Sequence, residues 1–191
     1  LGVSGGWTPT VHLFTQSGGK LKFDNDDNIF KPNKYPSDQI SIGSCNGEFD
    51  LNTIVKNFNK NIKTYLGIDK TNYEDLNIIA SKEILKKNIW LLPSNKPIGK
   101  TKCFVDFQND ATAKDIKLAL REGFRSIEHV KRYTTTGMGT DQGKLGNMHA
   151  LGIISDTSGI EMSELGTTTF RPPYTPLTFG TIVRRNVGEF F

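Results

Sequence analysis

The chain has 191 residues, 36% of them hydrophobic and 23% charged, and a formal net charge of +4. That length makes one domain or two small ones; it holds no apolar run as long as a membrane span, and no signal peptide is visible. Lysines crowd residues 52–102 (Lys56, Lys60, Lys63, Lys82, Lys86, Lys87) but are spread over helices and linkers without stacking aromatics, so they read as a solvated exterior. Neither a nucleic-acid nor a membrane partner is expected.

The chain opens Leu-Gly-Val-Ser-Gly-Gly, without an initiator Met. Leu1 reads as the interior of a strand, so a piece of a longer protein is expected. Residues 1–6 read as that strand ending in a Gly5-Gly6 turn, and residues 11–14 as a short apolar stretch. Residues 16–36, polar and carrying Gly18-Gly19, read as an irregular loop. Ile40 and Ile42 alternate, which predicts a short strand over residues 39–44. After the Cys45-Asn46-Gly47 turn, Asp50 is placed to cap a helix with Leu51, Ile54, Val55, Phe58 and Ile62 on one face. Residues 66–100 read as a connector, with helix over 73–87 and Pro93 and Pro97 setting extended geometry. The domain boundary is expected there.

In the second half, residues 104–107 read as a short extended piece. Thr112 and Asp115 make a capping signal, with Asp in place of the usual Glu. Ile116, Ala119 and Leu120 give the following helix an apolar face, and Gly123 sits where a C-terminal glycine belongs. Ser126 is expected to cap a second helix through Tyr133. Asp141 is expected to cap a third, carrying Leu145, Met148, Leu151 and Ile154 and ending near Gly159. Residues 161–165 make one further turn. Residues 166–191 read as an extended arm, since Pro172, Pro173 and Pro176 exclude helix around them. Its aromatic residues, Phe170, Tyr174 and Phe179, are expected to lie against another domain or subunit.

Few residues look chemically active. The two cysteines, Cys45 and Cys103, form no C-x-x-C pair, which argues against zinc and for a reducing, cytoplasmic setting. His12, His129 and His149 have no metal spacing. No metal site and no catalytic residue are expected.

Two glycine-rich turns are the candidate cofactor contacts. Ser4-Gly5-Gly6-Trp7-Thr8-Pro9 follows a strand, and Ile42-Gly43-Ser44-Cys45-Asn46-Gly47 links a strand to a helix. Such turns let backbone N–H groups and a helix N-terminus face a phosphate or a ribose; a plain tight turn is the alternative reading of each. The candidate residues are Gly5, Gly6, Gly43, Ser44, Cys45, Asn46, Gly47, Leu51 and Thr53. A third glycine-rich run, Gly137-Met138-Gly139-Thr140-Asp141-Gln142-Gly143-Lys144, is no P-loop. Leu145 stands where that motif needs Ser or Thr, and the Asp141 carboxylate repels anions.

Residues 101–147 carry a resemblance. The Thr112-capped helix and the Gly137-Met138-Gly139 turn are similar to the small helical domain of bacterioferritin-associated ferredoxin. The four positions that would ligate iron hold Asp106, Gln108, Asp141 and Gly146, none of them a thiolate. A scaffold kept without its cluster resembles the alpha subunit of heterotetrameric sarcosine oxidase and its amine-dehydrogenase relatives. Further stretches similar to that family are SGGWTPTVHLFTQSGGKL, GSCNGEFDL and GTTTFRPPYTPLTFG. The first two glycine turns resemble the ATG-x-x-Pro and Gly-Asp segments of two-dinucleotide-domain flavoproteins, with Ser44 where a flavin-binding Asp would sit.

The resemblance implies an α+β chain. Residues 1–65 would be the C-terminal part of an NAD-binding domain and 66–100 a connector. Residues 101–165 would be a cluster-free helical domain, and 166–191 an arm leading to a folate-binding domain absent here. It implies NAD at the first two turns, and FAD and FMN on the beta subunit, which oxidises sarcosine. Tetrahydrofolate would bind the absent domain, no iron–sulfur cluster would be present, and the partners would be the beta, gamma and delta subunits. The alternative is a stand-alone protein-interaction module of ferredoxin-like type.

Overall fold

The computed structural model describes residues 7–36, 38–67, 88–171, 175, 177–183 and 185. The expected strand and turn over residues 1–6 and helix over 73–87 lie outside them. Two units separate between Asn88 and Ile89, a division inside the span 66–100 read as a connector.

In the first unit, α1 (His12–Gln16) leads into a hairpin of β1 (Lys20–Asp24) and β2 (Ile29–Lys34). The hairpin corrects the irregular loop expected over residues 16–36. Its turn is polar, which masks it in the sequence, but the polar groups are what close it. Asp24 Oδ1 accepts from Asp26 N and Asp27 N, both at 3.0 Å, and Asn28 takes φ +55°. Lys31 Nζ then bridges Asp24 and Asp27 at 2.8 and 2.7 Å. Phe23 and Phe30 face each other across the ladder, ring centroids 4.9 Å apart, and bury with Val11, Phe14 and Ile29. Pro32 is tolerated because a two-stranded sheet leaves each strand an outer edge.

The strand expected over residues 39–44 is not formed. Residues 39–42 pair with no described strand, Ile40 stays 40% exposed, and the chain passes into a 3-10 turn, Gly43–Asn46. Helix α2 (Leu51–Leu66) follows, capped as expected by Asp50 and closed by Gly67 at φ +64°. Its expected apolar face is only partly covered: Ile54, Val55 and Ile62 are half-buried, while Leu51 is 51% exposed.

The second unit is built on α3 (Ala113–Arg121), preceded by β3 (Phe104–Asp106) paired antiparallel with β4 (Ala111–Thr112). Thr112 and Asp115 close the expected capping box, and Gly123 turns the chain at φ +97°. Ala113, Ile116, Ala119 and Leu120 bury against α4 (Ile127–Thr134) and α5 (Asn147–Ser158). Each large aliphatic so buried contributes about 1.5–3 kcal/mol. Ser126 occupies the N-cap of α4, but its side chain makes no capping bond. Helix α5 begins at Asn147, not after Asp141, because Gln142 and Gly143 take the left-handed φ values +53° and +71°, which no right-handed helix contains; Asp141 accepts from Gly143 N at 3.1 Å within that turn, and Leu145 is left 77% exposed. Helix α6 (Met162–Leu165) is the expected extra turn, and residues 166–171 form neither helix nor strand. Beyond the prolines the arm is not extended throughout: α7 (Phe179–Val183) forms once they are passed.

The chain is therefore mixed α and β. Among the described residues both sheets are two-stranded and antiparallel, and no parallel βαβ unit is present.

Candidate functional site

The Gly43–Gly47 turn sits between the hairpin and α2. Gly43 and Gly47 both take φ +80°, a conformation that glycine adopts without strain. A Cβ on Gly47 would meet Lys31 Cε at 2.7 Å, so β2 closes on it, while Gly43 lies 3.5 Å from Ile54 of α2 by the same measure. The residue that organises the turn is Glu48, which lies outside the glycine pattern. Its Oε1 accepts from Asn57 Nδ2 at 2.7 Å and Asn46 Nδ2 at 3.3 Å, and its Oε2 from Gly43 N at 3.4 Å. Glu48 follows Gly47 directly, and that adjacency was its signal in the sequence; Asn57 gave none.

The structure brings Gly43, Ser44, Cys45, Asn46, Gly47 and Thr53 together around this turn, with Leu51 exposed at the helix start. Ser44 is exposed, and Cys45 Sγ contacts Ile42 O at 3.2 Å. Gly5 and Gly6 lie outside the described residues. Asp50 Oδ2 accepts from Thr53 N and Thr53 Oγ1, both at 2.8 Å, and the backbone N–H of Thr53 holds the Asp50 carboxyl below its ordinary range. The positive end of α2 therefore already faces a carboxylate, and Glu48 adds a second. These residues fit the sugar hydroxyls of a dinucleotide, which donate to carboxylates. They do not fit its pyrophosphate.

In the second unit, the positions Asp106, Gln108, Asp141 and Gly146 converge. Asp106 is 6% exposed. Its Oδ2 accepts from Gly137 N at 2.7 Å and Asn109 Nδ2 at 3.1 Å, and its Oδ1 from Gln108 N at 2.8 Å and Asn109 N at 3.1 Å. Burial pushes the Asp106 carboxyl up, but these hydrogen bonds from Gly137, Asn109 and Gln108 outweigh it and hold the carboxyl below its ordinary range. Gln108 reaches the far side of the turn: Nε2 donates to Thr140 Oγ1 at 2.9 Å, and Oε1 accepts from Asp141 N at 3.1 Å. Gly146 packs backbone to backbone, since a Cβ there would lie 2.5 Å from Val105 O. Side chains and main chain thus hold the Gly137–Met138–Gly139 turn directly. Among the described residues, no group of three or more His, Cys, Asp or Glu is arranged to hold a metal ion. No helix among them is long and apolar enough to cross a membrane.

Known proteins share both units. Residues 100–185 match the model of the sarcosine oxidase A3 domain. The sarcosine oxidase alpha subunit of Rhizobium meliloti is 36% identical over 100% of this chain and 19% of that protein. The alpha subunit of Corynebacterium sp. strain P-1 is 35% identical over 99% of this chain and 20% of its own length. An opine oxidase subunit from Rhizobium meliloti is 33% identical over 38% of this chain and 16% of its own length. The crystal structure of L-proline dehydrogenase from P. horikoshii shares the fold, with TM-score 0.64 and 20% identity over 93% of this chain and 37% of that one.

These likenesses define a class first, that of oxidase subunits, and the α+β fold is shared with a dehydrogenase. Within that class the chain belongs to the sarcosine oxidase alpha-subunit family, with residues 100–185 as its A3 domain, and it spans 19–20% of the curated relatives it matches over its full length.

Proposed function

We propose that this chain acts within the alpha subunit of a heterotetrameric sarcosine oxidase, which demethylates sarcosine oxidatively to glycine with tetrahydrofolate as one-carbon acceptor. The observation that carries this is the 36% identity across the whole chain, which takes in both units. The redox chemistry falls to FAD and FMN on a beta-type partner, and this chain's residues make or break no bonds. The turn Gly43–Asn46, with Gly47, Leu51 and Thr53, is one wall of an NAD site in which Glu48 and Asp50 accept from sugar hydroxyls. The helical unit is an inter-subunit scaffold toward the beta, gamma and delta subunits. Leu177 at 58% exposure and Phe179 at 86% favour a surface covered in the assembly.

Two experiments test the reading. Titration of the chain with NAD, followed by NMR, is expected to move resonances of residues 43–53 with a dissociation constant on the order of millimolar, since a glycine-rich βαβ unit supplies most pyrophosphate contact. Micromolar binding, or shifts confined elsewhere, contradicts it. Co-expression with a beta-type partner separates the scaffold from a stand-alone interaction module. Co-purification is expected, and its failure in an otherwise folded chain favours the module.

A further inference from the structure

The turn over residues 137–143 is tied at each end to a different part of the helical unit. At its start Gly137 N donates to the buried Asp106 carboxylate of β3. At its end Gly143 O accepts from Asn147 N at 2.9 Å, and Gln142 Oε1 accepts from Arg171 N at 3.3 Å. Between the two lies the Asn147 side chain. A Cβ on Gly137 would come within 2.4 Å of Asn147 Oδ1, and one on Gly143 within 2.0 Å. Both glycines therefore close on a single amide. The Nδ2 of that amide donates to Thr168 Oγ1 at 3.1 Å and to Gln142 O at 3.4 Å, and Thr168 is 4% exposed.

We infer that this turn is a latch for the segment at Thr168 and Arg171, which leads into the prolines. Asp106 holds the turn in the shape that lets Asn147 reach Thr168 and Gln142 reach Arg171. The placement of Thr168 and Arg171 thus depends on a carboxylate in β3. Close packing of Asn147 between two glycines leaves no slack, so a shift of Gly137 displaces the amide. The two sides differ in strength. Asp106 accepts four charge-assisted bonds, whereas Thr168 and Arg171 are each held by one neutral bond, so the exit side opens first. Coupling of this kind is reciprocal: what loosens Gly137 loosens Arg171, and what frees Thr168 is felt at Gly137. A partner gripping the segment tightens the turn, and one displacing the turn releases the segment. The latch holds for whatever the arm touches and does not rest on the assignment to sarcosine oxidation.

The test is amide hydrogen exchange by NMR on the intact 191-residue chain. Two amides are read, Gly137 on Asp106 and Arg171 on Gln142. Asp106→Asn keeps volume and removes the charge; Thr168→Val keeps shape and removes the acceptor. Each variant is expected to speed exchange at both amides by about tenfold, the equivalent of one hydrogen bond, with the interior amides of α3 unchanged in Thr168→Val. The decisive arm is Thr168→Val, which tests the coupling even where Asp106→Asn fails to fold. Faster exchange at Arg171 with Gly137 at its original rate overturns the latch.

Discussion

The indole of Trp90 lies flat on Gly152: a Cβ built on that glycine would meet Trp90 Cδ2 at 2.0 Å. The same ring stands edge-on to His149, centroids 6.3 Å apart. A glycine in the middle of α5 is thus the seat on which the segment before β3 rests. Gly152→Ala gains about 1 kcal/mol of helix propensity. Ejecting the indole loses about 2–3 kcal/mol of burial, so a net loss of about 1–2 kcal/mol is expected. Emission of Trp90 should shift to the red in the folded variant, while Trp7, 82% exposed, already emits as a solvated indole. A variant of raised stability and unshifted emission would contradict the seat.

The Asp106 carboxyl titrates below its ordinary range in the folded chain. The stability it contributes is fully present above the unfolded carboxyl value of about 3.9 and is lost as pH falls through the lower folded value. Asp106→Asn is expected to lose about 2 kcal/mol at neutral pH, as for other buried charge-assisted bonds. Its stability should also fall less steeply between pH 5 and pH 2 (about the range in which a salt-bridged Asp titrates). Urea midpoints followed through Trp90 report this, and parallel acid limbs in the two proteins would refute it. Asp24 and Asp50 also titrate low, so some acid sensitivity remains in the variant.

Thr135 ends α4 with φ +61°, a left-handed conformation that a β-branched residue adopts under strain. Relief of that strain is worth about 1–2 kcal/mol, and a glycine gives back about 0.5–1 kcal/mol through its freer unfolded chain. Thr135→Gly is therefore expected to stabilise by about 0.5 kcal/mol, or about 2–4 °C in melting temperature. Calorimetry decides, and a lowered melting temperature would mean that the Thr135 Oγ1 bond to Thr134 O outweighs the strain.

Asp50 closes the N-terminus of α2 through two bonds from Thr53. Asp50→Ala is expected to fray the first turn of that helix, read as faster amide exchange at Thr53 and Ile54. Asp50→Asn should restore most of the protection. Equal exchange in all three proteins would show that packing alone sets the helix start.

Features decided within a few residues were legible in the sequence. The Thr112–Asp115 box, the Asp50 cap and the glycine turns at Gly123 and Gly159 need only their neighbours. Where a polar side chain had several backbone N–H groups within reach, the sequence could not rank them. Asp141 reads as a helix cap and does accept from Gly143 N, but Gln142 and Gly143 turn left-handed and no helix follows until Asn147. The hairpin was hidden because its turn is made of acidic residues that neutralise one lysine across the ladder. At the candidate site, Ser44, Asn46 and Thr53 were singled out from the glycine pattern and the helix start that follows it. Glu48, Asn57 and Asn147 act across 9 to 21 residues, a reach that spacing does not encode.

Met138 stands between two glycines at the tip of the latch turn, 52% exposed, whereas Met162 is 6% exposed. Its thioether is open to oxidants at the surface of a chain whose cysteines, Cys45 and Cys103, are both half-buried. Peroxide added to the chain would reach this sulfur first. Conversion to the sulfoxide would add a polar oxygen at a tip that already faces water, and it would leave the buried sulfur of Met162 intact. The oxidation state of Met138, read by mass spectrometry, would then record how much oxidant the folded chain has met before its interior opens.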